Sequence, residues 1–287
     1  MGESIKTLLD LLDLEVLEAD LFRGHGPKSN RPRVFGGHVI GQALVAASRT
    51  VKDRLPHSLH AYFMRPGDPS VPIIYDVDLL RDGRSFATRN VVARQHGRPI
   101  YQMAVSFMVK EEHFDHQTVM PDVPLPEELP NEYQRRKGLV HLLPETDHER
   151  FLSERSIEIR PIDAPDPPTH DPGEPLRRYW ARTLQPLPSE FTEHESVLAY
   201  ASDMTIAETA LAPHGQTWYS DEVVTASLDH SMWFHREFRA DEWLLFDQWA
   251  PSAMGGRGLN FGNIFTEDGR LVASMAQEGM MRRRRRD

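Results

Sequence analysis

Two distant stretches of the chain carry the same pattern. Ser227 to His235 reads S-L-D-H-S-M-W-F-H, and Ser58 to Arg65 reads S-L-H-A-Y-F-M-R. Each leads through about three strand-like runs to a Gly-Arg turn, Gly97-Arg98 in the first copy and Gly269-Arg270 in the second. From Ser58 to Gly97 is 39 residues and from Ser227 to Gly269 is 42, so a gap of three in one loop reconciles them. A unit written twice constrains the architecture more than any local propensity, because the same arrangement of apolar faces must be built two times. The 287 residues are enough for two units of ordinary size.

In the first copy, Ser4 opens a helical pattern carrying Ile5, Leu8, Leu9 and Leu12, and Leu14 to Phe22 reads as a strand. After a Gly-, Pro- and Arg-rich loop through Arg33, Phe35 to Val51 is Ala-rich and almost uncharged. A helix apolar on most of its circumference is buried, not laid on a surface. Three runs with Gly turns between them follow: Ile73 to Leu80, Phe86 to Gln95 and Ile100 to Val109. They read as an antiparallel meander that must wrap the helix.

The stretch from Glu111 to about Arg150 is acidic and holds four prolines before a helix-compatible Asn131 to Leu143, and reads as a linker. Arg155 to Ile162 and Arg177 to Leu187 are candidate strands, separated by the Pro-rich loop Asp163 to Pro175. Glu195 to Leu211 takes the place of the central helix. Thr225 to His235, Trp243 to Ala250, Gly258 to Thr266 and Leu271 to Met281 supply the second set of strands. The division expected is 1–112 for the first unit, 113–150 for the linker, 151–281 for the second unit and 282–287 for a basic tail.

A net charge of −10 argues against nucleic acid as a partner, since a phosphate-binding surface needs clustered positive charge. Arg282 to Arg286 are the exception, read first as a solvated terminus and only secondarily as a site for acidic surfaces or nucleotide phosphates. The chain has no cysteine, which excludes a thiolate metal site and a Cys nucleophile. His57, His60, His230 and His235 lack an H-E-x-x-H frame and read as hydrogen-bonding residues, not metal ligands. G-R-G-L-N-F-G at Gly256 to Gly262 has Phe261 where a dinucleotide fingerprint needs its third Gly, and no G-x-S-x-G elbow occurs. Met232, Trp233, Phe234 and Met280 read as core. No run is long and apolar enough to span a membrane, and a cytoplasmic location is the default expectation.

Taken together, F-G-G-H-V-I-G-Q-A-L, H-A-Y-F-M-R-P-G-D, L-R-D-G-R-S-F, S-L-D-H-S-M-W-F-H, E-W-L-L-F, G-R-G and D-G-R-L-V-A-S-M-A-Q-E-G-M-M-R resemble the acyl-CoA thioesterase II family. The resemblance covers nearly the whole chain apart from the linker and the tail. It implies an α+β double hotdog fold, each half a long buried helix wrapped by an antiparallel sheet. It also implies hydrolysis of fatty acyl-CoA without metal or redox cofactor, and the family's Asp, Thr or Ser, and Gln fall on Asp203, Ser227 and Gln277.

Those residue types suit the chemistry. A carboxylate can take a proton from water, while a hydroxyl and an amide, each donor and acceptor, can fix the water's direction. Asp203 is placed near a helix start, where free N–H groups could polarise the thioester carbonyl; Asp203 as a simple N-cap is the plainer reading. Aligning the Gly-Arg turns sets Gln277 opposite Val105, and aligning the helices sets Asp203 near Gly36 to His38. With Ser58 matched to Ser227, the first copy keeps one residue of three. One catalytic centre per chain, drawn from the second half, is therefore expected, with the first half shaping the acyl channel. A non-catalytic acyl-CoA-binding or regulatory protein remains open, as does a hotdog enoyl-CoA hydratase, although Glu208 stands where that enzyme's His is expected. Association through the sheets into a homo-oligomer is also expected.

Overall fold

The computed structural model describes the chain apart from residues 1–4, 27–32, 143–144, 153–155, 163–171, 190, 218–219, 221 and 285–287. The first half contains α1 (Ile5–Leu12), β1 (Glu15–Glu18), β2 (Leu21–Gly24), α2 (Gly36–Ser48), β3 (Leu55–Phe63), β4 (Ile73–Asp82), β5 (Phe86–Gln95) and β6 (Arg98–Met108). Helices α3 (Glu132–Leu139) and α4 (Glu145–Leu152) precede β7 (Ile157–Pro161), β8 (Leu176–Thr183), α5 (Phe191–Ser202) and α6 (Ile206–Thr209). The rest is β9 (Val223–Ser227), β10 (Asp229–Phe234), β11 (Leu244–Met254), β12 (Arg257–Thr266) and β13 (Leu271–Arg283).

All of the strands join one antiparallel sheet in the order β1-β2-β4-β5-β6-β3-β10-β13-β12-β11-β8-β7, with β9 added beside β13. The order is a palindrome about the β3–β10 pair: the two halves are joined by the very strands that carry the repeated motif. Leu59 pairs Met232 and Ala61 pairs His230 across that join. Tight reversals at Gly97, Gly255, Gly256 and Gly269 all need positive φ, which glycine adopts without steric cost.

Helix α2 is buried along most of its length, with Ile40, Ala43, Leu44, Ala46 and Ala47 fully enclosed. It runs antiparallel to α5 in close contact. A methyl group at Gly37 would stand 2.2 Å from the Tyr200 carbonyl oxygen, and one at Gly41 would stand 3.2 Å from that of Ser196. Two helices back to back inside one sheet are the double hotdog arrangement expected. Gln42, buried on α2, ties the helix to its own half by accepting from Tyr75 (2.8 Å) and donating to the carbonyl of His25 (3.2 Å).

Several elements differ from the sequence reading. Leu14 to Phe22 is no single strand but the hairpin β1–β2, turning at Ala19-Asp20. The second central helix ends at Ser202 and restarts at Ile206. Thr225 to His235 is broken at Leu228, whose N–H donates to Glu278 O (3.0 Å). Trp233 is 37% exposed on the outer face between buried Met232 and Phe234, as strand alternation requires, and Met280 is only half-buried. The basic tail starts inside β13, which runs to Arg283; Arg285 and Arg286 lie outside the described residues, as does most of the Asp163 to Pro175 loop. The stretch read as linker straps the second half: Met120, Val123 and Leu129 cover Trp180, Trp243, Leu245 and Phe265, and Trp180 Nε1 donates to Pro124 O (2.9 Å).

The register also corrects the alignment of the two copies. Met64 and Arg65 donate their N–H groups to Ile100 O, and His235 and Arg236 donate theirs to Val272 O. Y-F-M-R therefore matches W-F-H-R, which sets Ser58 on Asp229 and Ser227 on Pro56. Pro56 pairs Phe107 as Ser227 pairs Gly279. A slip of two residues preserves every inside and outside position, so periodicity could not distinguish the two alignments.

Candidate active site

Asp203 follows the last residue of α5, in the turn that reverses the chain into α6. Ser227 ends β9, and Gln277 lies on the inner face of β13, fully buried. The fold brings these three together. Ser227 Oγ donates to Asp203 Oδ1 at 2.9 Å, and Gln277 Nε2 donates to Ser227 Oγ at 3.1 Å.

Burial pushes the Asp203 carboxyl up from 3.8 to about 6, because the low-dielectric surroundings disfavour its charge. Hydrogen bonds from Ser227, Gln277 and the Gly37 N–H, with the charge of Arg33, oppose the rise. The result is a carboxylate ionised at neutral pH yet basic enough to take a proton from water.

The directions of the hydrogen bonds are set by His230, which is fully buried. Burial brings its pKa down to about 4, so the ring is neutral. Its Nδ1 lies 2.6 Å from Gln277 Oε1, and Ser202 Oγ lies 2.9 Å from its Nε2. A carbonyl oxygen only accepts, so Nδ1 carries the ring proton and Nε2 is left as an acceptor facing Ser202 Oγ, whose one proton is shared between that nitrogen and Ala199 O (2.8 Å). This turns the Gln277 amide so that its NH₂ faces Ser227, whose single proton is then left for Asp203. Sequence reasoning classed His230 as a hydrogen-bonding residue without placing it here; its position three residues after Ser227 was the only available signal.

The first half enters the site directly, correcting the expectation that the centre comes from the second half alone. Because α2 and α5 are antiparallel, the start of α2 meets the end of α5. A methyl group at Gly36 would stand 2.5 Å from Asp203 Oδ2 and 3.0 Å from the Phe63 ring. Phe63 N–H donates to Leu228 O (2.9 Å), and the exposed Arg33 donates to Thr225 O (2.6 Å). Asp203 is thus not at the start of its own helix, and not an N-cap. The helix N–H it accepts from, that of Gly37, belongs to α2 of the other half.

A model of the acyl-CoA thioesterase N-terminal domain matches residues 25–108, and one of acyl-CoA thioesterase matches residues 148–280. Acyl-CoA thioesterase 2 of Haemophilus influenzae is 40% identical over 285 residues, spanning 98% of this chain and 99% of that protein. The chain belongs to the acyl-CoA thioesterase family. Among solved structures of that family, the acyl-CoA thioesterase II TesB2 from Mycobacterium marinum superposes with a TM-score of 0.79 at 39% identity, over 98% of both chains. A protein with a hot dog fold from Alicyclobacillus acidocaldarius shares the fold alone: its TM-score is 0.76 at 20% identity, over 95% of this chain and 97% of that one.

The other histidines weighed as metal ligands, His57, His60 and His235, each lie beside a serine in this acyl-CoA thioesterase family member. His57 lies 2.8 Å from Ser106 Oγ, His60 3.0 Å from Ser231 Oγ and His235 2.9 Å from Ser274 Oγ. Glu208 is ion-paired to Arg177 beneath α6.

Proposed function

We propose that the chain hydrolyses fatty acyl-CoA to free fatty acid and CoA, with Asp203 as general base and Ser227 and Gln277 as the groups that orient the attacking water. The observation that carries this reading is the buried Asp203–Ser227–Gln277 chain, in which the carboxyl is raised to about 6. Ser227 keeps a lone pair that is free to hold the water, and Gln277, whose amide donates to Ser227 Oγ and to Asp203, holds both groups in place.

Asp203 takes one proton from the water as its oxygen bonds to the thioester carbon. The carbonyl oxygen becomes an oxyanion, which N–H groups at the start of α2 other than that of Gly37, already given to Asp203, stabilise. Collapse re-forms the carbonyl and breaks the C–S bond; the proton on Asp203 goes to the departing thiolate. No acyl-enzyme forms. Ser227 is not the nucleophile in this reading: it hydrogen-bonds the base and, among the described residues, no histidine hydrogen-bonds its Oγ. The acyl channel, the single centre and the division into 1–112 and 151–281 belong to the same reading, revised so that α2 supplies part of the centre. Glu208, held by Arg177, gives no support to a hydratase.

A cytoplasmic homo-oligomer completes the proposal. Tyr62 (62% exposed) and Trp233 (37%) stand beside His60 on the outer face of β3–β10, a surface suited to a second copy of the chain. Light scattering that returns a dimeric or larger mass supports this; a monomeric mass overturns it.

Release of CoA thiol from acyl-CoAs of graded chain length tests the activity. The protein has no cysteine, so a thiol reagent reports only product. Turnover by the wild type, lost in Asp203→Asn, is expected. Binding of acyl-CoA without turnover would instead indicate a regulatory binding protein.

A further inference from the structure

The structure assigns a second functional surface: we infer that Arg282, Arg283 and Arg284, with Arg33, form the subsite for the phosphates of the CoA nucleotide. This inference rests on the acyl-CoA reading above and deepens it.

A cleft of about 510 Å³ is lined by Val224, Met280, Arg282, Arg283 and Arg284. None of the three arginine side chains makes an ion pair among the described residues, although the chain as a whole carries a charge of −10. They are held by β-structure: Arg282 pairs Val224, Arg283 pairs Val223, and Arg284 N–H donates to Glu222 O (2.7 Å). The Arg282 stem lies over Gly256, where a methyl group would stand 3.3 Å from its Cγ. Val224, 39% exposed, and Met280 give the cleft an apolar floor between the guanidinium groups. Planar guanidinium groups beside an apolar patch suit a nucleotide, taking the phosphates as forked donors and the base against aliphatic surface.

The cleft is connected to the chemistry by the same strand. Ser227 ends β9, and Val223 begins it, about 13 Å away at a rise of ~3.3 Å per residue. Arg33 donates to Thr225 O between them and its charge reaches Asp203. A pantetheine arm must span a gap of this kind between a thioester at Asp203 and phosphates outside the core.

The opposite end of the sheet provides a control. Val105 of β6 stands where Gln277 stands in β13, so Lys110, Glu111 and Glu112 occupy the places of Arg282, Arg283 and Arg284. Lys110 is there paired to Glu237 (2.7 Å). At these three equivalent positions, the first half has one paired lysine and two glutamates, and the second half has three arginines without an ion pair among the described residues.

The test compares wild type with the triple variant Arg282→Ala, Arg283→Ala and Arg284→Ala on two substrates, an acyl-CoA and the same acyl chain on pantetheine, which has no phosphate. We expect KM for acyl-CoA to rise at least about tenfold, the minimum for lost charge-assisted hydrogen bonds. kcat and the kinetics on acyl-pantetheine should hold, and the fall of kcat/KM with added salt should flatten. An unchanged KM for acyl-CoA overturns the subsite, and so does an equal loss on both substrates, which would mean that the arginines only support the strand. If the wild type hydrolyses neither substrate, the thioesterase reading fails separately. Calorimetry with adenosine 3′,5′-bisphosphate then still decides the subsite: binding by the wild type that the triple variant loses upholds it, and no binding, or equal binding by both, overturns it.

Discussion

The two halves of the sheet present equivalent positions, and only one set forms a site. Where the second half has Ser202, Asp203, Ser227, His230 and Gln277, the first has Ser48, Arg49, Pro56, Leu59 and Val105. Ser202 Oγ meets His230; Ser48 Oγ is buried without a partner, because Leu59 stands in the imidazole's place. Asn260, opposite Gln277, corresponds to Arg89, opposite Val105. The Arg89 guanidinium is buried, donating to Thr50 O (3.1 Å), Thr50 Oγ1 (2.8 Å) and Asp82 Oδ1 (2.6 Å). The same backbone thus carries a polar chain with a raised carboxyl at one end and a filled, charge-compensated plug at the other. The two copies differ in these side chains within one repeated framework, to which the second adds α6 and the break at Leu228.

The comparison can be broken most severely at Asp203. Asp203→Asn should lower kcat by about 10³-fold, within the range for losing a general base. It should also stabilise the protein at pH 8. The folded pKa of about 6 lies above the ordinary 3.8, so the folded state holds the proton more tightly and wild-type stability falls as pH rises from about 4 through about 6. The gain on removing the charge is on the order of 3 kcal/mol at pH 8 and vanishes near pH 4. Thermal melts at the two pH values check the sign.

Gly36→Ala tests the contribution of the other half. Its methyl group would stand 2.5 Å from Asp203 Oδ2, so we expect kcat to drop about 10²-fold from displacement of the carboxylate, with the fold intact by circular dichroism. Wild-type activity would survive this change only if α2 stood apart from the centre.

The pH profile comes next in size. kcat/KM should fall about tenfold per pH unit below about 6, as Asp203 takes up its proton. A profile flat down to pH 5 would mean that another group is the base.

His230→Leu installs what the first half carries. It leaves the buried Gln277 Oε1 without its partner on the ring, while Ser202 Oγ keeps its bond to Ala199 O (2.8 Å), which should cost about 1–3 kcal/mol of stability and lower kcat with little change in KM. Pro56→Ser, the reverse exchange at the inert end, should leave activity unchanged. A second active centre appearing there would mean that the hydroxyl alone had been missing.

Much of this was legible in the chain. The repeat, the two buried helices and the meanders follow from periodicity, because burial imposes a period of two or 3.6 that side chains record directly, whereas Asp203, Ser227 and Gln277 were singled out only through the resemblance to the acyl-CoA thioesterase II family. His230 was visible as a residue and not as a part of the site, since nothing local says which groups its ring nitrogens will meet. The match of Ser58 to Ser227 failed for a related reason: in a strand, a shift of two leaves the apolar pattern intact, and only the hydrogen bonds to Ile100 O and Val272 O select the register.

By itself, the sequence determined that two wrapped helices would form, because apolar spacing is a property of the chain, and its resemblance to a family pointed to the half that carries the carboxylate, hydroxyl and amide. The tertiary structure decided that Asp203 ends its helix and meets Gly36 and Gly37 of the other one. It also decided that its carboxyl sits near 6 and that His230 orients Gln277. Those facts depend on the antiparallel crossing of α2 and α5 and on the water it excludes, which exist only once the two halves have closed on each other.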